Sequence, residues 1–419
     1  MRIAIVGTGV SGLTCAHLLH TRHDVTVFEA DDQPGGHANT VTVRLTEGEH
    51  RVDTGFIVYN ERNYPHFTRL LTELGIATRS SDMSFSVSDE VDDMEWRSSS
   101  PATMFAQPRN LVRPSFLRML VDIGRFNRGA RRLLEAPIDV DYTLADFLAE
   151  GRWSRSFVDW YLIPMGSAIW SADPSVFTRF PAAAFVSFFN NHGLLGLGNQ
   201  PEWRTVVGGS AMYVDAIVGP LGRKLRLSTP VSKLGRRNDD VEVTTATGDV
   251  DHFDHVIIAT HSDQALRMLS DPTQVEREIL GNIGYRPNVA TLHTDARLLP
   301  RRPRARASWN WHRRPGITAP TLTYDLSRLQ GLTSEVPICL TLNRPEAIDP
   351  GRVVDTMTYW HPVFDSAAMR AQRRHAEISG HAGISYCGAY WGFGFHEDGV
   401  QSALGVCRQL GVSWPGVCR

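Results

Sequence analysis

A strand, a glycine turn and a helix within the first 19 residues, the same order again over 384–410, and two long stretches of different character between them predict an α/β fold. It is read as a Rossmann-type dinucleotide-binding domain with an inserted α+β domain. "RIAIVGTGVSGLTCAHLL" (2–19) carries the first signal. Ile3 to Val6 is short, β-branched and fully apolar, as a strand buried on both faces requires. Gly7, Gly9 and Gly12 then interrupt the apolar run, which excludes a secretory signal peptide. Each glycine of this GxGxxG answers a different demand: Gly7 the tight turn, Gly9 the approach of a pyrophosphate to bare backbone, Gly12 the packing of helix on strand. The helix N-terminus offers free N–H groups and a positive dipole end to the phosphates.

"DVTVFEA" (24–30) predicts the second strand. It ends at Glu29, about 20 residues past the glycines, where a carboxylate accepts hydrogen bonds from ribose hydroxyls. A turn, "DDQPGGHANTV" (31–41), follows, and "VDTGFIVYN" (52–60) comes after a short hairpin. In mid-chain, "VVGGSAMYVDAIVGPL" (206–221), "LRLSTPVSKL" (225–234) and "HVIIATHSDQALRML" (255–269) supply more of the nucleotide domain. "ISYCGAYWGFGFHEDGVQSALGVCRQL" (384–410) returns to it. The nucleotide domain is therefore assigned to 1–85, 205–285 and 375–419, and the inserted domain to 86–204 and 286–374. The first insertion reads as mostly helical: "NLVRPSFLRMLVDIGRFNRGARRLLE" (110–135) alternates apolar and Arg positions at helical spacing. The second holds strand-like runs, "NVATLHT", "ASWNWH", "TLTYDL" and "PICLTLN", expected to form an antiparallel sheet.

A hydrophobic share of 42% and a net charge of −2 give no basic excess that would point to nucleic acid. No apolar run approaches membrane-spanning length. Cys15, Cys339, Cys387, Cys407 and Cys418 lack CxxC or metal-ligand spacing, which fits a reduced cytoplasmic location and neither disulfides nor zinc. The Arg-rich stretch, with Arg113, Arg118, Arg125, Arg128, Arg131 and Arg132, reads either as a solvated amphipathic face or as a peripheral contact with anionic lipid.

Together with "VDTGFIVYNERNYPHFTRLL", "FFNNHGLL", "EWRTVVGGS", "NVATLHTDARLLP", "TLNRPEAIDP" and "YCGAYWGFGFHEDG", these motifs make the chain resemble the FAD-dependent amine oxidase and phytoene desaturase superfamily over nearly its whole length. More narrowly, it resembles the bacterial NAD/FAD-binding proteins often described as amine oxidases. The resemblance implies FAD as cofactor, and a Rossmann-type FAD-binding domain with an inserted substrate domain. It implies that Gly7, Gly9, Val10, Ser11 and Gly12 hold the pyrophosphate, that Glu29 and Ala30 meet the adenosine ribose, and that Gly35, Gly36 and His37 form a second phosphate-side turn. Gln33 stands where the superfamily has Arg, removing one charge-assisted contact. Gly55, Phe56 and Ile57 would run beside the flavin, and Val231 would pair its backbone with adenine. Gly388 matches a late Gly-Asp pair in which Ala389 replaces the acid. Asp398, Gly399 and Val400 match the helix start, with the amides of Gly399 and Val400 facing flavin N1 and O2. Cys387, beside this motif, reads as a buried inert thiol and not as a flavin attachment point.

The superfamily's amine oxidases use a lysine bridged by water to flavin N5. The matching strand here, "NVATLHTDA" (288–296), offers Thr291 and His293 instead, and the chain's only lysines are Lys224 and Lys233. The candidate cavity segments, "WYLIPMGSAIW", "FPAAAFVSFF" and "NHGLLGLG", are apolar. Relatives of the narrow family include flavin-dependent fatty acid desaturases and polyenoic fatty acid isomerases, and the family is associated with lipid methyltransferases of the cyclopropane-fatty-acid type. The expected function is therefore desaturation, or double-bond isomerisation, of an unsaturated or methylated fatty acyl chain by hydride transfer to FAD, with a lipid methyltransferase as a partner. The alternatives are a flavin amine oxidase that produces hydrogen peroxide, and a non-catalytic membrane-surface protein stapled by FAD. His396, Glu397, His192 and Tyr59 (beside Asn60) are the candidate acids and bases, and no metal is expected. Trp309 and Trp311, at strand spacing, read as core or cavity wall.

Overall fold

A computed structural model describes residues 1–135, 139–170, 178–196, 200–316 and 321–414. Cys418 and the Leu197–Gly198 end of "NHGLLGLG" lie outside the described residues. The first sheet is parallel throughout. Its five strands run in the order Leu225–Arg226, Asp24–Phe28, Arg2–Val6, His255–Ile258, Ile384–Tyr386. Helices Val10–Leu19 and His396–Gln409 pack on each other beside it. The strand sequences explain their burial: Ile3, Ile5, Val25, Val27, Val256 and Ile257 are completely enclosed, with helices and loops on both faces.

A second sheet has seven strands in the order Val353–Pro362, Tyr285–His293, Cys339–Leu342, Thr321–Asp325, Trp309–Arg313, Phe85–Asp89, Met94–Arg97. The mostly helical first insertion opens with a hairpin, Phe85–Asp89 and Met94–Arg97, whose alternating "FSVSD" and "MEWR" suit a pleated strand. One expectation is corrected here. The sheet is not purely antiparallel, because Phe85–Asp89 pairs parallel with Trp309–Arg313. Parallel pairing follows from the chain path, since these strands arrive in the sheet from separate insertions rather than through a hairpin.

Helices of the first insertion lie against this sheet. The long Pro114–Leu134 helix buries Phe116, Met119, Phe126 and Ala130, one stripe at helical spacing. A π-helical turn, Val158–Leu162, joins Arg155–Phe157 to Ile163–Trp170, and Ala182–Asn191 packs beside them. The apolar core of this half is largely aromatic, with Trp96, Phe116, Phe126, Phe157, Phe185 and Phe189 enclosed. Among the described residues, no helix is long and apolar enough to cross a membrane, and no group of three or more metal-ligating side chains comes together.

Candidate functional site

One continuous cavity of about 2180 Å³ runs from the glycine turn, at the C-terminal end of the parallel sheet's central strand, to the aromatic layer of the helical insertion. This is about twice the upper volume of an ordinary single-ligand pocket, roughly 1,000 Å³. It has room for a dinucleotide and a second molecule.

The nucleotide end is built mostly from backbone. Gly7, Gly9, Val10 and Ser11 line it, and no side chain caps the first turn of the Val10–Leu19 helix, whose N–H groups meet the cavity. Gly7 has φ +100°, a left-handed conformation that favours glycine. Gly12 does not line the cavity. A Cβ there would lie 2.0 Å from the Gly7 carbonyl oxygen, so its bareness lets helix meet turn. Glu29 is held in place: one carboxylate oxygen accepts the Thr8 N–H at 2.8 Å and the Thr8 hydroxyl, the other the Asp31 N–H at 3.1 Å. Ala30, Gln33, Gly36, His37, Gly55, Phe56, Ile57, Val231 and Gly388 line the same cavity. Gly35 stands just behind it, its N–H donated to Thr8 Oγ1 at 3.1 Å.

The last helix departs from expectation. Gly399 does not line the cavity: its N–H donates to the Phe395 carbonyl at 3.2 Å and its own carbonyl accepts the Ser11 hydroxyl at 3.0 Å. A Cβ on it would meet Val10 and Ser11, so Gly399 is the contact point of two helices. Val400 is buried in that packing. Neither offers an amide to the cavity; Phe395 and His396, at the helix start, border it instead. Asp398 turns back to accept the Phe395 N–H at 2.9 Å, and burial pushes its carboxyl up to about 7. Cys387 is buried with its sulfur 4.0 Å from that of Cys15, facing the core.

Of the four candidate acids and bases, two lie off the cavity. Glu397 accepts the His66 Nδ1 at 2.6 Å, the Phe67 N–H at 3.0 Å and the Gln401 amide at 3.0 Å. It clamps the start of the Pro65–Glu73 helix to the His396–Gln409 helix. Tyr59 is enclosed among Tyr64 and Phe67. His396 does border the cavity, but its ring stacks on Phe56 at 3.6 Å, its Nε2 lies 3.0 Å from the Tyr213 hydroxyl, and burial holds it far below the usual histidine range. His192 keeps the attributes of a base. Its Nδ1 lies 2.9 Å from the Phe188 carbonyl, which can only accept, so Nδ1 carries the proton and Nε2 keeps its lone pair. Burial lowers it to about 4, so the ring is neutral. It stacks on Phe188 at 3.8 Å and sits 6.1 Å from Phe395, and all three line the cavity.

Several lining residues were not anticipated. His37 stacks on Tyr359 at 5.1 Å, with His361 at 5.5 Å and His261 at 6.5 Å. Burial lowers His37 to about 3 and His361 to about 4, so this imidazole cluster is neutral. Tyr359 and His361, two apart on one strand, carried a detectable period-2 signal. Tyr161 falls within the candidate cavity segment "WYLIPMGSAIW", but its direction carried no signal, because the π-helical turn's extra residue breaks the 3.6 periodicity. Burial pushes its hydroxyl up to about 12.

The far end of the cavity is lined by side chains: Met83, Trp96, Ile123, Met165, Trp309 and Phe364 among them. Trp311 lies in the core beneath Trp309. Thr291 and His293 face the sheet interior; His293 Nε2 is 2.8 Å from Thr341 Oγ1. Carboxylates at this end are engaged: Asp82 meets Arg97 at 3.3 Å and Arg328 at 3.4 Å, and Glu202 pairs with Ser80 and Arg204 at the exposed rim.

The family model for flavin-containing amine oxidoreductases matches residues 10–411. The fold is similar to that of putrescine oxidase bound to putrescine, with TM-score 0.69 and 14% identity over 98% of this chain and 99% of that one. It is also similar to cyclohexylamine oxidase from Brevibacterium oxydans, with TM-score 0.67 and 16% identity over 98% of this chain and 99% of that one. A fatty acid isomerase from P. acnes that produces CLA matches with TM-score 0.67 and 16% identity over the same shares.

Proposed function

Since this chain belongs to the flavin-containing amine oxidoreductases and is an FAD-dependent oxidoreductase, we propose that its substrate is an unsaturated or methylated fatty acyl chain, which it desaturates or in which it moves a double bond. FAD fits the nucleotide end: a bare glycine turn, an uncapped helix start, a positioned carboxylate in Glu29, and the unpartnered His37 Nε2. The backbone of Gly7 to Ser11 and Gly36 would hold its pyrophosphate, the Glu29 carboxylate its ribose, Val231 its adenine, and Gly55 to Ile57 with Gly388 its ring system; all of these line the cavity. The chemistry FAD supplies is acceptance of a hydride from a substrate C–H bond at N5.

The observation that carries the acyl reading is the far end of the cavity, where, among the described residues, bulky apolar side chains meet no unengaged carboxylate and no lysine. A protonated amine there would lose its hydration and gain no ion partner, a cost of several kcal/mol or about that order. An acyl chain gains about 0.8 kcal/mol per buried CH₂. The aromatic walls exclude water from the reacting carbon. His192 Nε2 receives the proton that follows hydride loss. A base this weak suffices, because a carbon next to a developing allylic cation is strongly acidic. The neutral imidazoles His37, His261 and His361 add no positive charge against that cation.

Anaerobic titration of the purified yellow holoenzyme with lipid extract tests this reading. Bleaching of the flavin absorbance, with mass spectrometry showing loss of two hydrogens or a displaced double bond, is the expected result. Bleaching by polyamines and not by lipid, with peroxide released in air, would overturn it.

A further inference from the structure

We propose that residues 108–135 form a docking surface for an anionic phospholipid bilayer, seated on the rim of the cavity. The proposal stands whichever substrate the cavity takes.

The Pro114–Leu134 helix turns different faces to the core, the cavity and solvent. Phe116, Met119 and Phe126 enter the core. Leu120, Ile123, Gly124 and Asn127 form cavity wall. Leu117 and Val121, on the outward face, are 41% and 57% exposed. Arg118, Arg125, Arg128 and Arg132 share that outward face, all but Arg118 in later turns. Just before the helix, Leu111 is 56% exposed, and Val112, at 78%, is the most exposed large hydrophobic side chain among the described residues. Four such side chains within 111–121 are a patch and not the scattered exposure common on protein surfaces.

Charge favours a bilayer as the occupant. Seven arginines fall within 108–135 against Asp122 and Glu135, in a chain whose net charge is −2. Asp122 is completely buried and shared by Arg118 at 3.1 Å and Arg125 at 2.5 Å, so one carboxylate serves two guanidinium groups. Arg125, Arg128 and Arg132 also line a second pocket, of about 580 Å³, with Tyr142 and Trp153. Its carboxylate, Glu150, accepts the Tyr142 hydroxyl at 2.8 Å. Guanidinium forks converging on a shallow pocket suit a phosphate oxygen. Apolar side chains beside a basic row are the signature of a helix lying in the headgroup region, with the arginines at the phosphates.

The cavity meets the outside at the same place. Ser98, Ser99, Ser100 and Pro101 are exposed and also line it, and Phe105 packs on Phe116 of the helix at 5.8 Å. A bilayer resting on Leu111, Val112, Leu117 and Val121 would bring lipid to that opening.

The test is sedimentation of the full-length holoenzyme with vesicles of phosphatidylcholine alone and of phosphatidylcholine with phosphatidylglycerol. At least tenfold stronger partitioning to the anionic vesicles is expected, weakening as salt rises. Each arginine near such a surface contributes about fivefold. The double variant Arg128→Gln with Arg132→Gln should therefore lose roughly 25-fold, and Val112→Ser with Leu117→Ser should lose binding to both vesicles. Retained flavin absorbance shows that a variant has folded. Equal partitioning to both vesicles, no loss in the variants, or a dimer in light scattering that Val112→Ser dissolves would overturn the proposal.

Discussion

The two ends of the cavity are built by opposite means. At the nucleotide end the protein removes side chains: Gly7, Gly9, Gly12, Gly36 and Gly55 bring backbone to the ligand or to neighbouring backbone. At the far end it adds them, with Met83, Ile123, Met165, Trp309 and Phe364 drawn from segments widely separated in sequence. A glycine in a tight turn has one acceptable state, and a Cβ has nowhere to go. A wall of large side chains has many near-equivalent solutions, provided its volume is kept. The first end is therefore brittle and general to dinucleotides, the second plastic and specific.

The largest effect should come from breaking the brittle end. Gly12→Ala places a Cβ 2.0 Å from the Gly7 oxygen; the expected outcome is protein without flavin, read as the ratio of flavin to protein absorbance, while Ile123→Ala keeps its flavin. A normal flavin ratio in Gly12→Ala would erase the contrast. Acid should act next, through histidines that line the cavity. His37, His192 and His361 are neutral in the fold, lowered to about 3, 4 and 4 chiefly by burial. Unfolded, each titrates near 6.5, so protons favour the unfolded chain. Their contribution is complete above that pH and is lost as pH falls below it toward 4. At pH 5 the cost is about 2 kcal/mol per histidine, and the thermal midpoint should fall between pH 7 and pH 5.

Smaller still, Glu397→Gln should lower stability by about 1–3 kcal/mol in denaturant unfolding, because it weakens the clamp on the Pro65–Glu73 helix. The turnover number should not change. A large fall in turnover with normal stability would return Glu397 to the chemistry. The smallest effect tests plasticity: Ile123→Phe narrows the far end and, on the proposed acyl reading, should cut kcat/KM for the longest chain accepted by about tenfold, with shorter chains spared.

The same contrast explains what was legible in the sequence. The glycine turn, Glu29 and the strands that flank them were readable because local chemistry dictates them: a tight turn needs Gly7, and a ribose needs an acid at the second strand's end. The far end was legible only as apolar composition. Which aromatic faces the cavity depends on distant segments, as with Trp309 against Trp311, and on the π-helical turn that re-aims Tyr161. His396 and Glu397, adjacent in sequence, diverge because successive helical residues point about 100° apart. One borders the cavity and the other clamps a neighbouring helix. Gly399 was misplaced for the same reason: its position marked the helix start, but its direction is toward the Val10–Leu19 helix.

The parallel pairing of Phe85–Asp89 with Trp309–Arg313 has a consequence for biosynthesis. The Ser84 hydroxyl finds its Ser308 partner 224 residues downstream. At ribosomal rates of about 5–20 residues per second, the early hairpin waits roughly 10 to 45 s for that strand to emerge. Throughout the delay its apolar face and open edge are available to the wrong neighbour. Newly made chain is thus open to misassembly late into translation, and neither half of the gene should yield a soluble product by itself.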